Sequence, residues 1–296
     1  MRMSVRGGYD HLLESYGGWL EALNYEKSNA RYSLTRVKRF ASWLVDHGIQ
    51  GMEQVSQGDV KRFFDDLEER INPRTGECLS VHSLKAYQKE LRRFGRYLQE
   101  SGQGSLGVEI SYRTPLMIQL KEVVFTPAEI QLLYDSCQDD AFGLRDRAML
   151  ALCYGCGLRR NEAAALCLED VSLSRGLLYV KKGKNYRERY VPMSVGVISD
   201  LREYLLGGRT QLQNPLSGNH FFLSYAGKPV QGQSLGNRFK QLKKRCRIEK
   251  PGSLHSLRHS IATHLLERGM ALKQIARFLG HRSLESTQIY THIVRG

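Results

Sequence analysis

The sequence contains no uninterrupted apolar run of about 18 residues, which a membrane-spanning helix requires, and its start lacks a signal-peptide pattern. It has no low-complexity tract, and its six cysteines are too scattered for the disulfide framework of a small secreted domain. Cys153 and Cys156 form a single CxxC pair without a second pair to complete a zinc site, which favours core thiols. These absences argue against a membrane or disulfide-rich secreted protein, and they predict a reducing, cytoplasmic setting without a membrane partner.

Positive charge is what the sequence has in excess. Among its 296 residues, Lys and Arg outnumber Asp and Glu by 14. The excess is uneven, because residues 1–103 carry 16 cationic and 14 acidic side chains, whereas residues 104–296 carry 28 and 16. A solvated basic surface is one explanation, but the imbalance favours a polyanion such as nucleic acid as the partner of the second part of the chain.

The first hundred residues show the apolar periodicity of helices, predicted at 9–24, 29–47, 57–71 and 80–101. In the last of these, Leu84, Leu91 and Leu98 lie on one apolar stripe. Five cations follow the same period on another face: Lys85, Lys89, Arg92, Arg93 and Arg96. We interpret this face as a surface that follows DNA phosphates, with a solvated charged face as the alternative.

A Gly-rich segment without periodicity interrupts the chain at 102–107. Order is expected to resume at Thr126, an N-cap residue that is followed by Pro127 and, completing a capping box, by Glu129. The sequence therefore predicts a helical DNA-binding domain over 1–103, a linker over 104–124 and a second domain over 125–296.

The second domain mixes helical and strand patterns. Helices are predicted at 127–137, 144–155, 160–167, 195–206, 234–247, 256–268, 272–279 and 284–293. Residues 177–180 and 187–191 are expected to form two strands around a polar turn, and residues 221–223 to add a third. The predicted fold class is mainly α, with a small β-sheet in the second domain.

Several polar residues of this domain are those that phosphodiester chemistry requires. The charge on the nonbridging oxygens grows as phosphorus is attacked, and the planar fork of an arginine can hold two such oxygens. Arg159 and Arg258 are the predicted clamps. His255, which precedes Arg258 by three residues, and His281 are predicted to hydrogen-bond the phosphate or to move a proton.

A late tyrosine and a lysine complete the set. Tyr290 is the predicted nucleophile, which would form a covalent phosphotyrosine. Lys184, on the turn between the two strands, can reach the site and protonate the departing 5′ oxygen. Because the phosphotyrosine link retains the energy of the broken phosphodiester bond, this chemistry is expected to need no metal ion and no nucleotide cofactor.

Alternatives exist for each residue taken alone. Tyr290 is one of 15 tyrosines and could pack in a core, and Glu162 could be a helix-surface carboxylate. A zinc site is a further alternative, since His255 and His259 form an HxxxH pair, although no Glu follows His255 as in HExxH. Other histidines lie nearby: His264, His281 and His292.

In combination, the motifs resemble the tyrosine recombinase, or phage-type integrase, family, especially its compact Xer-like members and some mobile-element recombinases. The similarity covers about 126–293 and is strongest at 255–263 and 279–292. Gly157-Leu158-Arg159 with Glu162 is similar to the family's first-arginine block. The chain departs from the family pattern at Cys156, where a Thr often stands, and at Asn185, where a Gly often follows the hairpin lysine.

The resemblance implies a catalytic set: Arg159, Lys184, His255, Arg258, His281 and Tyr290, with Glu162 in a supporting position. Lys181 and Lys182 lie close to Lys184, so more than one lysine is a candidate general acid.

The resemblance also implies how the chain would act on DNA. A helical core-binding domain and a catalytic domain would close around duplex DNA as a clamp. Four copies would exchange strands between two specific sites through a four-way junction, with a second recombinase or an accessory protein as a further partner. Integration and excision of a mobile element or dimer resolution are the implied tasks. A type IB topoisomerase and a catalytically silent DNA-binding regulator are the alternatives.

Overall fold

The computed structural model describes residues 9–71, 76–112, 123–181 and 188–281. The chain divides into two units, Met1–Gln119 and Leu120–Gly296. Each unit has its own cluster of buried apolar side chains.

Four helices form the described part of the first unit: α1 (Asp10–Ala22), α2 (Lys27–Asp46), α3 (Gln57–Glu69) and α4 (Val81–Glu100), with a 3-10 turn at Met52–Gln54. Each of the four lies where the sequence predicts a helix. Side-chain caps fix where two of them begin, because Ser56 accepts a hydrogen bond from the Asp59 amide and Ser80 accepts one from the Ser83 amide.

Aromatic side chains fill the core of the first unit. Phe40 and Phe63 are buried and pack edge to face, with ring centroids 4.9 Å apart. Beyond α4, Leu106 and Ile110 are buried in the same core, so this stretch of the chain packs on the first unit. The domain bounds 1–103, 104–124 and 125–296 stay predictions.

Helices also dominate the second unit: α5 (Pro127–Asp135), α6 (Ala141–Leu150), α7 (Arg160–Ala164), α8 (Val195–Glu203), α9 (Arg209–Leu212), α10 (Gly232–Arg245), α11 (Leu254–Glu267) and α12 (Leu272–Leu279). The Thr126 capping box at the start of α5 forms as predicted. Two wider, π-helical turns that the sequence did not predict continue α6 and α8, at Ala151–Gly155 and Tyr204–Gly208. The predicted helix at 284–293 lies outside the described residues.

The first π-helical turn leads directly to the candidate site. A Cβ on Gly155 would lie 2.5 Å from a methyl carbon of Val197, so α8 packs against the bare backbone of this turn. Tyr154 on the same turn shares a 2.9 Å hydrogen bond with Nδ1 of His264 on α11. The turn that precedes Arg159 is therefore held by two other helices.

A small antiparallel sheet completes the second unit. Its strands are β1 (Val171–Ser172), β2 (Leu177–Val180) and β3 (Arg189–Pro192), in the order β1-β2-β3. The register pairs Leu178 with Val191 and Val180 with Arg189, so the residues between Val180 and Arg189 connect the two long strands. The predicted pair of strands is confirmed.

The predicted third strand at Phe221–Leu223 is wrong, and Val171–Ser172 takes that place instead. Phe221, Phe222 and Leu223 are all fully buried, which is not the alternation of a strand with one solvated face. Only isolated bridges lie nearby, from His220 and from Leu223. The rings of Phe221 and Phe222 pack against the ring of Tyr204.

The fold-class prediction is confirmed, since the described residues are mostly helical and carry a small sheet in the second unit. Among the helices of the described ranges, none is both long and apolar enough to cross a membrane.

Candidate active site

The candidate site begins at a sharp backbone bend before α7. Gly157 has a φ of +60°, which favours glycine, and the chain then enters α7 through Arg159. The backbone N–H of Arg159 donates to Oε2 of Glu162 at 2.9 Å, while its Nη1 donates to Oε1 at 2.9 Å. The predicted supporting carboxylate therefore fixes both the backbone and the guanidinium of the first predicted clamp.

The second predicted clamp, Arg258, lies on α11 and is only 1% exposed. Its Nη1 donates to the carbonyl oxygen of Gly157 and lies 4.0 Å from Oε2 of Glu162, and its Nη2 donates to the carbonyl oxygen of Leu279 at 2.6 Å. The fold thus brings together two arginines that are far apart in the sequence, as phosphate binding by both would require.

His281 is placed by the way α12 ends. Gly280 adopts a left-handed conformation with a φ of +69°. The backbone N–H of Gly280 donates to Arg277 and that of His281 donates to Ala276, which is the bonding pattern of a Schellman motif. The motif turns the chain sharply at the end of the helix, and His281 follows directly.

The electrostatics of His281 favour its neutral form. Burial lowers the pKa of His281, and the positive charges of Arg258 and Arg159 lower it further, to about 3. At neutral pH the ring therefore has one donor nitrogen and one acceptor nitrogen. Such a ring can donate to a phosphate oxygen without adding charge to the site.

Glu162 is held ionised by the cations around it. Burial opposes ionisation of this carboxyl, but hydrogen bonds and positive charge from Arg189, together with those from Arg159, lower the pKa of Glu162 to about 2. We name Glu162 with Arg159, Arg189 and Arg258 the Glu162 cluster. It combines one negative charge with three positive charges, so it retains a positive excess next to His281.

Arg189 of this cluster could be predicted from the sequence only as part of a strand, not as a residue of the site. Its side chain is 6% exposed and forms a two-pronged ion pair with Glu162, with Nη1 to Oε1 at 3.1 Å and Nη2 to Oε2 at 3.0 Å. The sequence does contain an indication of this role. Strand alternation puts Arg189 on the same buried face as Val191, and a buried arginine needs a carboxylate partner.

His255 and His259 lie one turn apart on α11. His255 is exposed, and its ring meets that of His259 edge to face with centroids 4.5 Å apart. His264, part of the zinc alternative, is bonded to the Tyr154 hydroxyl instead. Among the residues that the structure describes, no group of three or more His, Cys, Asp or Glu side chains is arranged to hold a metal ion.

Two members of the predicted catalytic set, Lys184 and Tyr290, lie outside the described residues, as does Lys182. Lys181 is described, and its ammonium pairs with Asp170 at 3.0 Å and with Glu169 at 3.7 Å. Lys181 therefore lies against two carboxylates at the end of β2.

The five cations predicted to contact DNA do not share one environment. Lys85, Lys89, Arg92 and Arg96 are exposed on α4, although Nε of Arg92 also donates to the carbonyl oxygen of Ile110. Arg93 is half-buried and is used within the first unit. It donates to Glu90 at 2.8 Å, and its guanidinium lies over the ring of Tyr25 at 4.7 Å.

Comparison with known proteins places this geometry in context. A family model described as "Phage integrase family" matches residues 123–295. The chain is 33% identical over 282 residues to the tyrosine recombinase XerD of Pseudomonas putida, covering 94% of this chain and 92% of that protein. It is 31% identical over 283 residues to the tyrosine recombinase XerC 2 of Ralstonia nicotianae, covering 95% and 81%.

A similar fold occurs in a solved structure. The Tn1549 transposon integrase, in complex with a circular intermediate DNA, matches with a TM-score of 0.76 at 18% identity, covering 94% of each chain.

Proposed function

Because the chain belongs to the phage integrase family, we propose that it is a site-specific DNA recombinase that cleaves and rejoins strands through a 3′-phosphotyrosine. The Glu162 cluster is the observation that carries this proposal. Arg159 and Arg258 lie 2.9 and 4.0 Å from the two oxygens of one carboxylate, beside a neutral His281. A phosphodiester, which gains negative charge as it is attacked, is complementary to such a positive, preorganised site.

The proposed reaction exchanges one phosphate ester for another. The Tyr290 oxygen attacks phosphorus and loses its proton, which His255 accepts, while the bond from phosphorus to the 5′ oxygen breaks. Lys184 donates a proton to that oxygen, and Arg159 and Arg258 hold the nonbridging oxygens. Attack by a 5′ hydroxyl reverses these steps and rejoins a strand, so the scheme consumes no cofactor.

The proposed partner is duplex DNA with a specific recombination site. The relatives named above are tyrosine recombinases, and the solved neighbour is bound to DNA. We propose that both units contact the duplex and that the exposed cations of α4 contact its phosphates. Four copies would act on two sites, with or without a second recombinase or accessory protein, in the cytoplasm.

Covalent capture tests the proposal. The protein is incubated in EDTA with nicked fragments of its host genome, treated with SDS, and the attached DNA is sequenced. We expect adducts from the wild type and none from Tyr290→Phe, since the variant lacks the attacking oxygen but keeps the DNA-binding surfaces. Adducts from Tyr290→Phe would disprove the nucleophile assignment. DNA binding without adducts from the wild type would favour the silent regulator.

A further inference from the structure

Arg189 joins three segments of the candidate site. It lies at the start of β3, opposite Val180 in the register. Its two Nη atoms bind Glu162 at the start of α7, and its Nε donates to the carbonyl oxygen of Phe278 at 3.1 Å, near the end of α12. One side chain therefore contacts the sheet, the Arg159 segment and the segment that precedes His281.

The contacts match the shape of a guanidinium and leave little space for another group. A Cβ on Gly280 would lie 2.8 Å from Cδ of Arg189, so the Gly280–His281 turn is seated directly on the arginine stem. An ammonium in place of the guanidinium would keep the charge, but it could not make two parallel bonds to Glu162 while a third group binds Phe278. Arg189→Lys therefore separates the geometry from the charge.

We propose that Arg189 is a positioning residue: it aligns Arg159, through Glu162, with the His281 turn, and so sets the rate of DNA strand cleavage without touching the phosphate. This inference rests on the proposed function. It follows from the hydrogen bonds that the Arg189 side chain makes within the described ranges, which reach Glu162 beside Arg159 and Phe278 near His281.

A matched control separates positioning from simple stabilisation. Arg209 is also a buried arginine of the second unit, at 6% exposed, and its guanidinium bonds the carbonyl oxygens of Gly218 and His220 and the side chain of Gln213. None of these residues belongs to the Glu162 cluster. Arg209→Lys should therefore lower stability as Arg189→Lys does, without affecting the site.

The test measures cleavage at saturating DNA, with the captured site on a nicked substrate. We expect Arg189→Lys to slow covalent adduct formation by about 10²-fold, because small displacements of catalytic groups have effects of that size. The Kd for DNA should change less than about twofold, since the phosphate-binding cations remain. Arg209→Lys should keep the wild-type cleavage rate. Wild-type cleavage by Arg189→Lys, or an equal loss in Arg209→Lys at equal Tm, would overturn the proposal.

A double variant tests whether Arg189 acts through Glu162. Arg189→Gln combined with Glu162→Gln replaces their ion pair by two neutral amides, and Arg159 and Arg258 lose the same carboxylate in the double variant as in Glu162→Gln alone. If Arg189 acts through Glu162, the double variant should cleave no more slowly than the slower of the two single variants. If the rate losses of the two single variants multiply in the double variant, Arg189 and Glu162 act independently, which would contradict the proposal.

A readout without DNA keeps this inference distinct from the proposed function. The imidazole NMR signal of His281, identified by its loss in His281→Gln, should shift in Arg189→Lys and stay in place in Arg209→Lys. An unchanged signal in Arg189→Lys would refute the positioning role. Absence of adducts from the wild type would instead refute the proposed function, and the His281 signal would still decide on Arg189.

Discussion

At the scale of single residues, Glu162 is what allows three arginines to lie together. Each of its two oxygens accepts hydrogen bonds from both Arg159 and Arg189, and Arg258 lies just beyond. Removing one member of a buried ion pair typically costs about 3–5 kcal/mol, because the remaining charge loses its compensation. The carboxylate therefore has a physical reason to be present even though it bears no direct part in the proposed strand cleavage.

The neutral state of His281 gives a pH prediction. The folded chain holds the pKa of His281 at about 3, below the ordinary histidine value of 6.5, so between these values the unfolded chain binds a proton that the folded chain does not. This contribution to stability is complete above pH 6.5 and is lost as pH falls towards 3. Its slope is limited to about 1.4 kcal/mol per pH unit, and solvent screening reduces it.

Urea unfolding at several pH values checks this prediction, with His281→Gln as the comparison. As the pH is lowered from 6.5 to 4.5, the unfolding free energy of the wild type should fall relative to that of His281→Gln. The titration of Glu162 changes the unfolding free energy of both proteins equally, so it cancels in their difference. A difference that does not depend on pH would show that the folded ring is protonated as readily as the unfolded one.

From the sequence, most described residues of the candidate site could be predicted, but Arg189 could not. Arg159, Arg258 and His281 stand in recognisable motifs, and the structure brings all three to the Glu162 cluster. Arg189 stands in no such motif. Its role depends on contacts with Phe278 and Gly280, which lie about ninety residues later in the sequence. Periodicity within one strand cannot reveal such contacts.

At the scale of elements, the helices were predictable because their caps and apolar stripes are local. The Thr126 capping box and the stripe of α4 are examples, and both are present. The π-helical turn at Ala151–Gly155 was not predictable, because it depends on α8 packing against Gly155. The predicted third strand was wrong for a similar reason, since Phe221 and Phe222 pack into a core with Tyr204, which lies far from them in local sequence pattern.

The end of α12 carries a prediction at this scale. Gly280→Ala adds a methyl group 2.8 Å from Cδ of Arg189 at a φ of +69°. Gly269→Ala is the matched control, because Gly269 has a φ of +86° but, its chain neighbours aside, no heavy atom lies within 4 Å of the added Cβ. The control should lose about 1–2 kcal/mol from backbone strain alone. Gly280→Ala should lower the free energy of unfolding by more than Gly269→Ala does.

Cleavage assays complete this comparison. Gly280→Ala should form adducts more than about tenfold more slowly, since the turn before His281 has to move away from Arg189. Gly269→Ala should cleave at the wild-type rate under conditions where it is folded. Equal stability and equal rates in the two variants would show that the contact between Gly280 and Arg189 has no bearing on the site.

At the scale of the whole molecule, charge is divided between the two units. Met1–Gln119 carries 17 Lys and Arg against 15 Asp and Glu, whereas Leu120–Gly296 carries 27 against 15. The second unit therefore supplies most of the long-range attraction for a polyanion. The first unit is nearly balanced, so its contact with DNA would depend on local arrangement, such as the exposed cations of α4.

A plasmid assay separates recombination from relaxation. In EDTA, a supercoiled plasmid with two copies of the captured site should yield recombinant products, because strand exchange needs paired sites. A plasmid with no copy should stay supercoiled, and Tyr290→Phe should act on neither. Relaxation of the plasmid without a site would favour the type IB topoisomerase alternative.

Arg258 has two roles, and a genetic test of activity alone would not separate them. Its guanidinium ties Gly157 to Leu279, so it is part of what holds the second unit together as well as a proposed phosphate ligand. In cells, substitutions here would reduce the amount of folded protein, which is then degraded, in addition to removing chemistry. An inactive allele at Arg258 is therefore ambiguous on its own, whereas an inactive allele at normal abundance elsewhere in the site reports on catalysis.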